Sequence, residues 1–105
     1  MKIKTRGLHP LLAAIVKVLP RFAAAYGVSI NFTSAVRSRA EQERLYALYK
    51  AGKMPYVVAL PGTSRHERGL ALDITTNNLK WLVDTLTGVG LRWAGMKDPV
   101  HFEIP

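Results

Sequence analysis

The sequence predicts an α+β fold, a small antiparallel sheet with helices packed on one of its faces. Three observations carry that reading. Apolar residues recur at helical spacing in three separate stretches, apolar and polar residues alternate strictly in others, and glycines, prolines and capping patterns fall between them. The chain has 105 residues, about one domain's length, so residues 1–105 are read as a single domain with one modest core.

Pro10 stands where a first helical residue would, and Leu11, Leu12, Ile15, Val16, Leu19 and Phe22 follow at helical spacing until Gly27. Pro20 is expected to kink or divide this helix, because an interior proline removes a hydrogen bond and crowds the preceding turn. Val28, Ile30 and Phe32 alternate with Ser29, Asn31 and Thr33, the period of a half-buried strand running toward Arg37. Ser38-Arg39-Ala40-Glu41 is a capping-box pattern opening a second helix, with Leu45, Leu48 and Tyr49 on one stripe and Gly52 at its end. Residues 53–65 hold Pro55, Pro61 and Gly62 and read as an ordered surface loop.

From Gly69 to Thr76 the alternation is strict, with Leu70, Leu72 and Ile74 facing one way and Ala71, Asp73 and Thr75 the other. Asn77 is the expected cap of a third helix striped by Leu79, Leu82, Val83 and Leu86, and Gly88 and Gly90 stop it. Residues 91–94 and 100–104 close the chain as two short strands around a turn at 95–99. Val100, Phe102 and Ile104 share one face of the last strand, which leaves His101 and Glu103 on the other.

A formal net charge of +8 favours polyanionic partners: nucleic acid, anionic lipid or an acidic wall polymer. No nucleic-acid-binding motif accompanies it, and the basic residues are scattered, as on an ordinary solvated surface. The absence of cysteine removes thiolate ligands, disulfides and thiol nucleophiles together. The charged opening Met1-Lys2-Ile3-Lys4-Thr5-Arg6 is not followed by a clean apolar run and a small-residue cleavage site, so no export signal is expected. The apolar run at 11–19 is too short for a span of about 20 residues, so membrane insertion is not expected.

Chemistry concentrates in two segments. His66 and Asp73 lie in Ser64-Arg65-His66-Glu67-Arg68-Gly69-Leu70-Ala71-Leu72-Asp73, and Asp98 and His101 lie in Asp98-Pro99-Val100-His101-Phe102-Glu103. If the strands carrying Asp73 and His101 pair antiparallel, the two side chains stand side by side with Cβ atoms about 5 Å apart. Gly69 gives the backbone the freedom to bring His66 back over the same face. Catalytic zinc is commonly held by three protein ligands with a fourth position left for water, so His66, Asp73 and His101 suit one zinc ion. Taken singly, each residue is more simply a surface or hydrogen-bonded group. An aspartate inside Leu-Ala-Leu and Ile-Thr-Thr is a poor strand former that needs a compensating partner, and a cation is one. His9, before Pro10, is read as part of the first helix's start, and Trp81 and Trp93 as core or groove-wall residues.

The pattern Ser-x-His-x-x-Gly-x-Ala-x-Asp at 64–73, followed by acid-x-x-His-Phe-Glu at 98–103, resembles the zinc peptidases of the D-Ala-D-Ala carboxypeptidase and phage endolysin (L-alanyl-D-glutamate peptidase) type. Thr33-Ser34-Ala35-Val36-Arg37-Ser38 with Gln42, Leu45 and Tyr46 extends the resemblance over most of the chain from residue 28. It implies a Hedgehog/DD-peptidase-like fold in which His66, Asp73 and His101 bind zinc and Asp98 acts as general base. The family more often carries Glu at that last position, so Asp98 reaches one methylene less far, and Glu103 is the competing base or an orienter of a ligand imidazole. Arg37 is implied as a catalytic and substrate-contacting arginine, with Gln42 and Ser64 as further substrate-binding candidates.

The implied activity is hydrolysis of an amide bond in the peptidoglycan stem peptide, at the L-Ala-D-Glu bond or a D-amino-acid bond. A compact, leaderless chain of this kind is expected to be monomeric, made in a host cytoplasm and active in the periplasm or cell wall, as a phage endolysin is. The alternative is a catalytically silent Hedgehog-like module that binds metal together with a wall or protein partner.

Overall fold

A computed structural model describes residues 3–105; Met1 and Lys2 of the charged opening lie outside the described residues. Three helices and four strands follow in the order α1 (Pro10–Ala24), β1 (Ile30–Ser34), α2 (Arg39–Lys50), β2 (Ala71–Thr76), α3 (Leu79–Gly88), β3 (Arg92–Trp93) and β4 (His101–Glu103). The sheet is antiparallel throughout, in the order β1-β2-β4-β3. No described helix is long and apolar enough to cross a membrane.

One apolar layer decides how these elements meet. Leu12, Ile15 and Leu19 of α1 and Leu82 and Leu86 of α3 enclose Leu72, Ile74 and Phe102 of the sheet. Burial of Phe102 alone is worth about 1.5–3 kcal/mol. Because side chains alternate along a strand, the same burial turns Asp73, His101 and Glu103 toward the other face. There α2 and the loop at 53–65 stand at the rim and shape a cavity over the sheet.

Local chemistry sets the helix ends. The Ser38 and Glu41 capping box forms in full, and Glu41, held by Lys4 and by the Ser38 backbone N–H, has its pKa lowered to about 2. At α1, Nδ1 of His9 accepts the Leu11 N–H at 3.1 Å, so this third histidine is a cap. Two expectations need correction. Pro20 does not divide α1, which runs unbroken to Ala24. Only one backbone bond is lost there, and the buried Leu19 and Ala23 on either side of Pro20 keep the last turn against the core. Asn78, one residue later than expected, caps α3 through the Trp81 N–H, because Asn77 is occupied bridging Ser29 and Gly27 at the start of β1.

Gly69 has the one backbone conformation on which the site most visibly depends. At φ +71° it ends a short 3₁₀ turn, Arg65–Arg68, and its carbonyl accepts the His9 N–H at 2.9 Å. A Cβ there would overlap the carbonyl oxygen of Gly7. Gly69→Ala is therefore expected to cost at least about 2 kcal/mol in urea unfolding, from the left-handed backbone penalty plus displacement of residues 7 and 8. Unchanged stability would contradict this account of the turn.

Candidate metal centre

Asp73 on β2 lies directly opposite His101 on β4, in register with the neighbouring pair Leu72 and Phe102. His66 arrives from the 3₁₀ turn, whose first N–H groups are capped by Ser64 Oγ accepting from the His66 backbone at 3.2 Å. The outcome is one donor cluster: a ring nitrogen of His66, a carboxylate oxygen of Asp73 and a ring nitrogen of His101 all lie within 4.8 Å of one another.

The remaining bonds of the two rings decide what the cluster can hold. His66 Nδ1 is 2.8 Å from the Ala35 carbonyl oxygen, which only accepts, so Nδ1 carries the proton and Nε2 faces the cluster. His101 Nε2 is 2.8 Å from Glu103 Oε1 and donates to that carboxylate, leaving Nδ1 toward the cluster. These two nitrogens lie 3.0 and 3.3 Å from the same oxygen, Asp73 Oδ1. Lone pairs on neutral imidazoles and an ionised carboxylate repel at such distances unless a positive centre lies among them. Tetrahedral zinc, with bonds of about 2.0–2.1 Å, spaces its donors about 3.3 Å apart. The donor set, its spacing and the orienting partner behind each ring fit a divalent metal ion held by His66, Asp73 and His101.

Protons compete for the same lone pairs. Burial pushes the Asp73 carboxyl up, but where protons take the metal's place on the ring nitrogens that face it, hydrogen bonds from His101 and His66 and their charge outweigh burial and hold it far below the usual range. Burial likewise disfavours a charged His101, yet the Asp73 and Glu103 hydrogen bonds prevail and raise its pKa.

Around the cluster, Arg37 is fixed by three bonds: Nη1 to Gln42 Oε1 at 2.9 Å, Nη2 to Ser34 Oγ at 2.9 Å and Nη2 to Asp73 Oδ2 at 3.4 Å. It is thus part of the site and not a loose surface group. Gln42, 1% exposed, spends its other end on the Ala59 carbonyl at 2.8 Å, linking Arg37 to the loop. Gln42 and Ser64 both line the cavity of about 460 Å³, but the Gln42 amide and the Ser64 hydroxyl are engaged with the chain itself.

The two acids beyond the cluster differ sharply. Glu103 is fully committed: Oε1 accepts from His101, and Oε2 receives Arg92 Nη2 at 2.7 Å and Arg65 Nε at 3.0 Å. Burial alone would raise its pKa, but Arg92, His101 and Arg65 together lower it. Asp98 lines the same cavity, and its Oδ1 is buried with no partner among the described residues. Burial first, and the negative charge of Asp73 second, push its pKa up. Sequence reasoning missed the roles of Arg65 and Arg92 as anchors of Glu103. The signal for Arg92 was available, since the β3-β4 hairpin sets it opposite Glu103.

An antiparallel sheet that presents two imidazoles and an aspartate to one point, with a free carboxylate and a pinned arginine beside them, defines the site of a metal-dependent hydrolase. The family model for D-alanyl-D-alanine carboxypeptidase, VanY, matches residues 5–92, and the chain belongs to that family. The match takes in Arg37, His66 and Asp73, while Asp98, His101 and Glu103 lie beyond it and are brought to the site by the fold. A search of curated proteins found no match.

Solved structures that share the fold include the following three. The vancomycin-resistance D,D-pentapeptidase VanY of a VanB-type cassette, solved with Zn(II), aligns at TM-score 0.71 and 23% identity, covering 92% of this chain and 72% of that one. The LD-carboxypeptidase LdcB aligns at 0.72 and 26% identity, over 93% of this chain and 65% of that one. The Serratia marcescens L-Ala D-Glu endopeptidase ChiX aligns at 0.58 and 21% identity, over 99% and 90% respectively.

Two measurements check the centre. Glu103→Gln removes the charge behind the His101 ring and is expected to weaken divalent-metal affinity by about 10–100-fold in chelator competition; an unchanged affinity would detach Glu103 from the centre. Because His101 holds its proton more tightly than a free imidazole, metal binding must displace that proton. Calorimetric titration in buffers of different ionisation heat is expected to show proton release, with affinity falling as pH drops through the raised His101 range. Affinity independent of pH there would contradict His101 as a ligand.

Proposed function

We propose that this chain is a zinc-dependent peptidase that hydrolyses an amide bond in the peptidoglycan stem peptide, at the D-Ala-D-Ala terminus or at the L-Ala-D-Glu bond. The observation that carries the reading is the convergence of His66, Asp73 and His101 beside a carboxylate oxygen of Asp98 that has no partner among the described residues. Membership of the carboxypeptidase family supports the substrate class. So do fold neighbours described as a D,D-pentapeptidase with Zn(II), the VanYB protein in complex with D-alanine-D-alanine, and an L-Ala D-Glu endopeptidase.

His66, Asp73 and His101 would hold the zinc ion, which would supply Lewis acidity toward the scissile carbonyl and toward water. The chain's own residues supply the rest. Asp98 takes the proton of the attacking water at its free oxygen and returns it to the leaving amine. A pKa raised above the ordinary carboxylate suits a group that must do both. Arg37 offsets negative charge developing on the carbonyl oxygen, held in place by Ser34 and Gln42. Glu103 keeps the His101 ring turned with Nδ1 inward, and Ser64 fixes the turn that carries His66. In this scheme Gln42 and Ser64 serve substrate binding by shaping the wall and bracing Arg37 and His66.

A lytic role at the cell wall, of the phage endolysin kind, is the finer part of the proposal. Digestion of purified sacculi followed by mass analysis of the muropeptides tests both levels. The expected products have lost terminal D-Ala or been opened between L-Ala and D-Glu, with activity lost in chelator and restored by zinc. Intact muropeptides from zinc-loaded protein would contradict the proposal. Asp98→Asn is expected to slow hydrolysis by about 10²–10⁴-fold with metal affinity retained; undiminished turnover would remove Asp98 as the base.

A further inference from the structure

The apolar arc of α1 is wider than the core can cover. Leu12, Ile15, Leu19 and Ala23 turn inward, whereas Val18, Phe22 and Tyr26, spaced four residues apart, remain 58%, 47% and 62% exposed. That spacing aligns them as one ridge along the helix and the turn that follows it. The Phe22 and Tyr26 rings meet edge to face at 5.4 Å, and Trp81 from the first turn of α3 closes the group, 5.9 Å from Phe22 and 5.8 Å from Tyr26.

The charge on α1 beside this ridge is of one sign, and on α3 the Lys80 and Asp84 charges next to Trp81 pair with each other at 2.7 Å. The first 40 residues contain seven Lys and Arg and no Asp or Glu. Lys4, Arg37 and Arg39 find acids elsewhere, in Glu41, Asp73 and Glu67. Lys17 and Arg21 have no acidic partner among the described residues. Each precedes a ridge residue by one position, about 100° round the helix, so the cations flank the apolar row.

Exposed aromatic and aliphatic side chains flanked by uncompensated cations on one helix suit a surface that is apolar below and anionic at the level of the cations. An anionic phospholipid bilayer has that profile. A sugar polymer fits less well, because the three ring planes are inclined to one another by 37° to 62° and share no flat face for a sugar to stack on. We propose that the Val18, Phe22, Tyr26 and Trp81 patch, with Lys17 and Arg21, docks the protein on the surface of an anionic bilayer. Since α1 and α3 cover the face of the sheet opposite the metal centre, a docked molecule presents its cleft away from the lipid. The inference depends on neither zinc nor substrate.

Co-sedimentation of the full chain with vesicles tests it, comparing pure phosphatidylcholine with phosphatidylcholine mixed with phosphatidylglycerol. The expected result is at least about tenfold stronger binding to the anionic vesicles, weakened by salt. Phe22→Ser with Tyr26→Ser, and separately Lys17→Gln with Arg21→Gln, are each expected to reduce that binding by about tenfold. Both variants should keep the circular dichroism spectrum of the parent, which reports that they are folded. Three outcomes would overturn the proposal: equal or no binding to the two vesicle types, anionic binding indifferent to both pairs of substitutions, or a patch whose loss affects only self-association or sacculus binding.

Discussion

The register between β2 and β4 is the constraint on which the rest of the site depends. It places Asp73 opposite His101 because Leu72 is opposite Phe102, and both apolar side chains are fully buried. A slip of one residue would send Phe102 into the cavity and His101 into the core. Backbone bonds from Ile74 to the Val100 carbonyl and from Ile104 to the Leu70 carbonyl continue the same alignment on either side. Hydrophobic burial on one face thus determines coordination chemistry on the other. The folding energy comes from residues that never touch the metal, and the donors lie where the strand's alternation leaves them.

The donor cluster works against that stability until something positive occupies it. Two imidazole nitrogens converge on one oxygen atom of Asp73, and the opposite nitrogen of each ring is already committed, to Ala35 and to Glu103. Such an arrangement is costly in a partly buried place and persists because the surrounding sheet and turn dictate it. Arg37 supplies part of the compensating charge through Asp73 Oδ2, leaving Oδ1 to the two rings. Division of one carboxylate between a fixed arginine and the metal point explains why Arg37, Gln42 and the loop carbonyl of Ala59 form a continuous brace.

Much of this was legible from residue order because it follows from periodicity. The alternation at 70–76 and 100–104 placed Asp73 and His101 on a common face, and the Ser38 and Glu41 box fixed the start of α2. What sequence left open depends on contacts between distant segments. Which of Asp98 and Glu103 is paired depends on Arg65 and Arg92, which occupy Glu103, while Asp98 Oδ1 has no partner among the described residues, and no local pattern announces such pairing. The course of α1 through Pro20 and the one-residue shift of the α3 cap were likewise settled by packing and by a bridge to residues 27 and 29. Helical stripes alone also did not reveal that α2 would stand over the site while α1 and α3 took the apolar face.

The central claim is that one metal ion is bound by two imidazoles through different ring nitrogens and by a single aspartate. Diffraction from zinc-loaded crystals, with anomalous data recorded at the zinc edge, tests it directly. The account predicts one strong anomalous peak within bonding distance of His66 Nε2, an Asp73 carboxylate oxygen and His101 Nδ1, with the Ala35 and Glu103 contacts to the opposite nitrogens intact. A peak held by other residues, or rings turned so that those nitrogens face away from it, would contradict it.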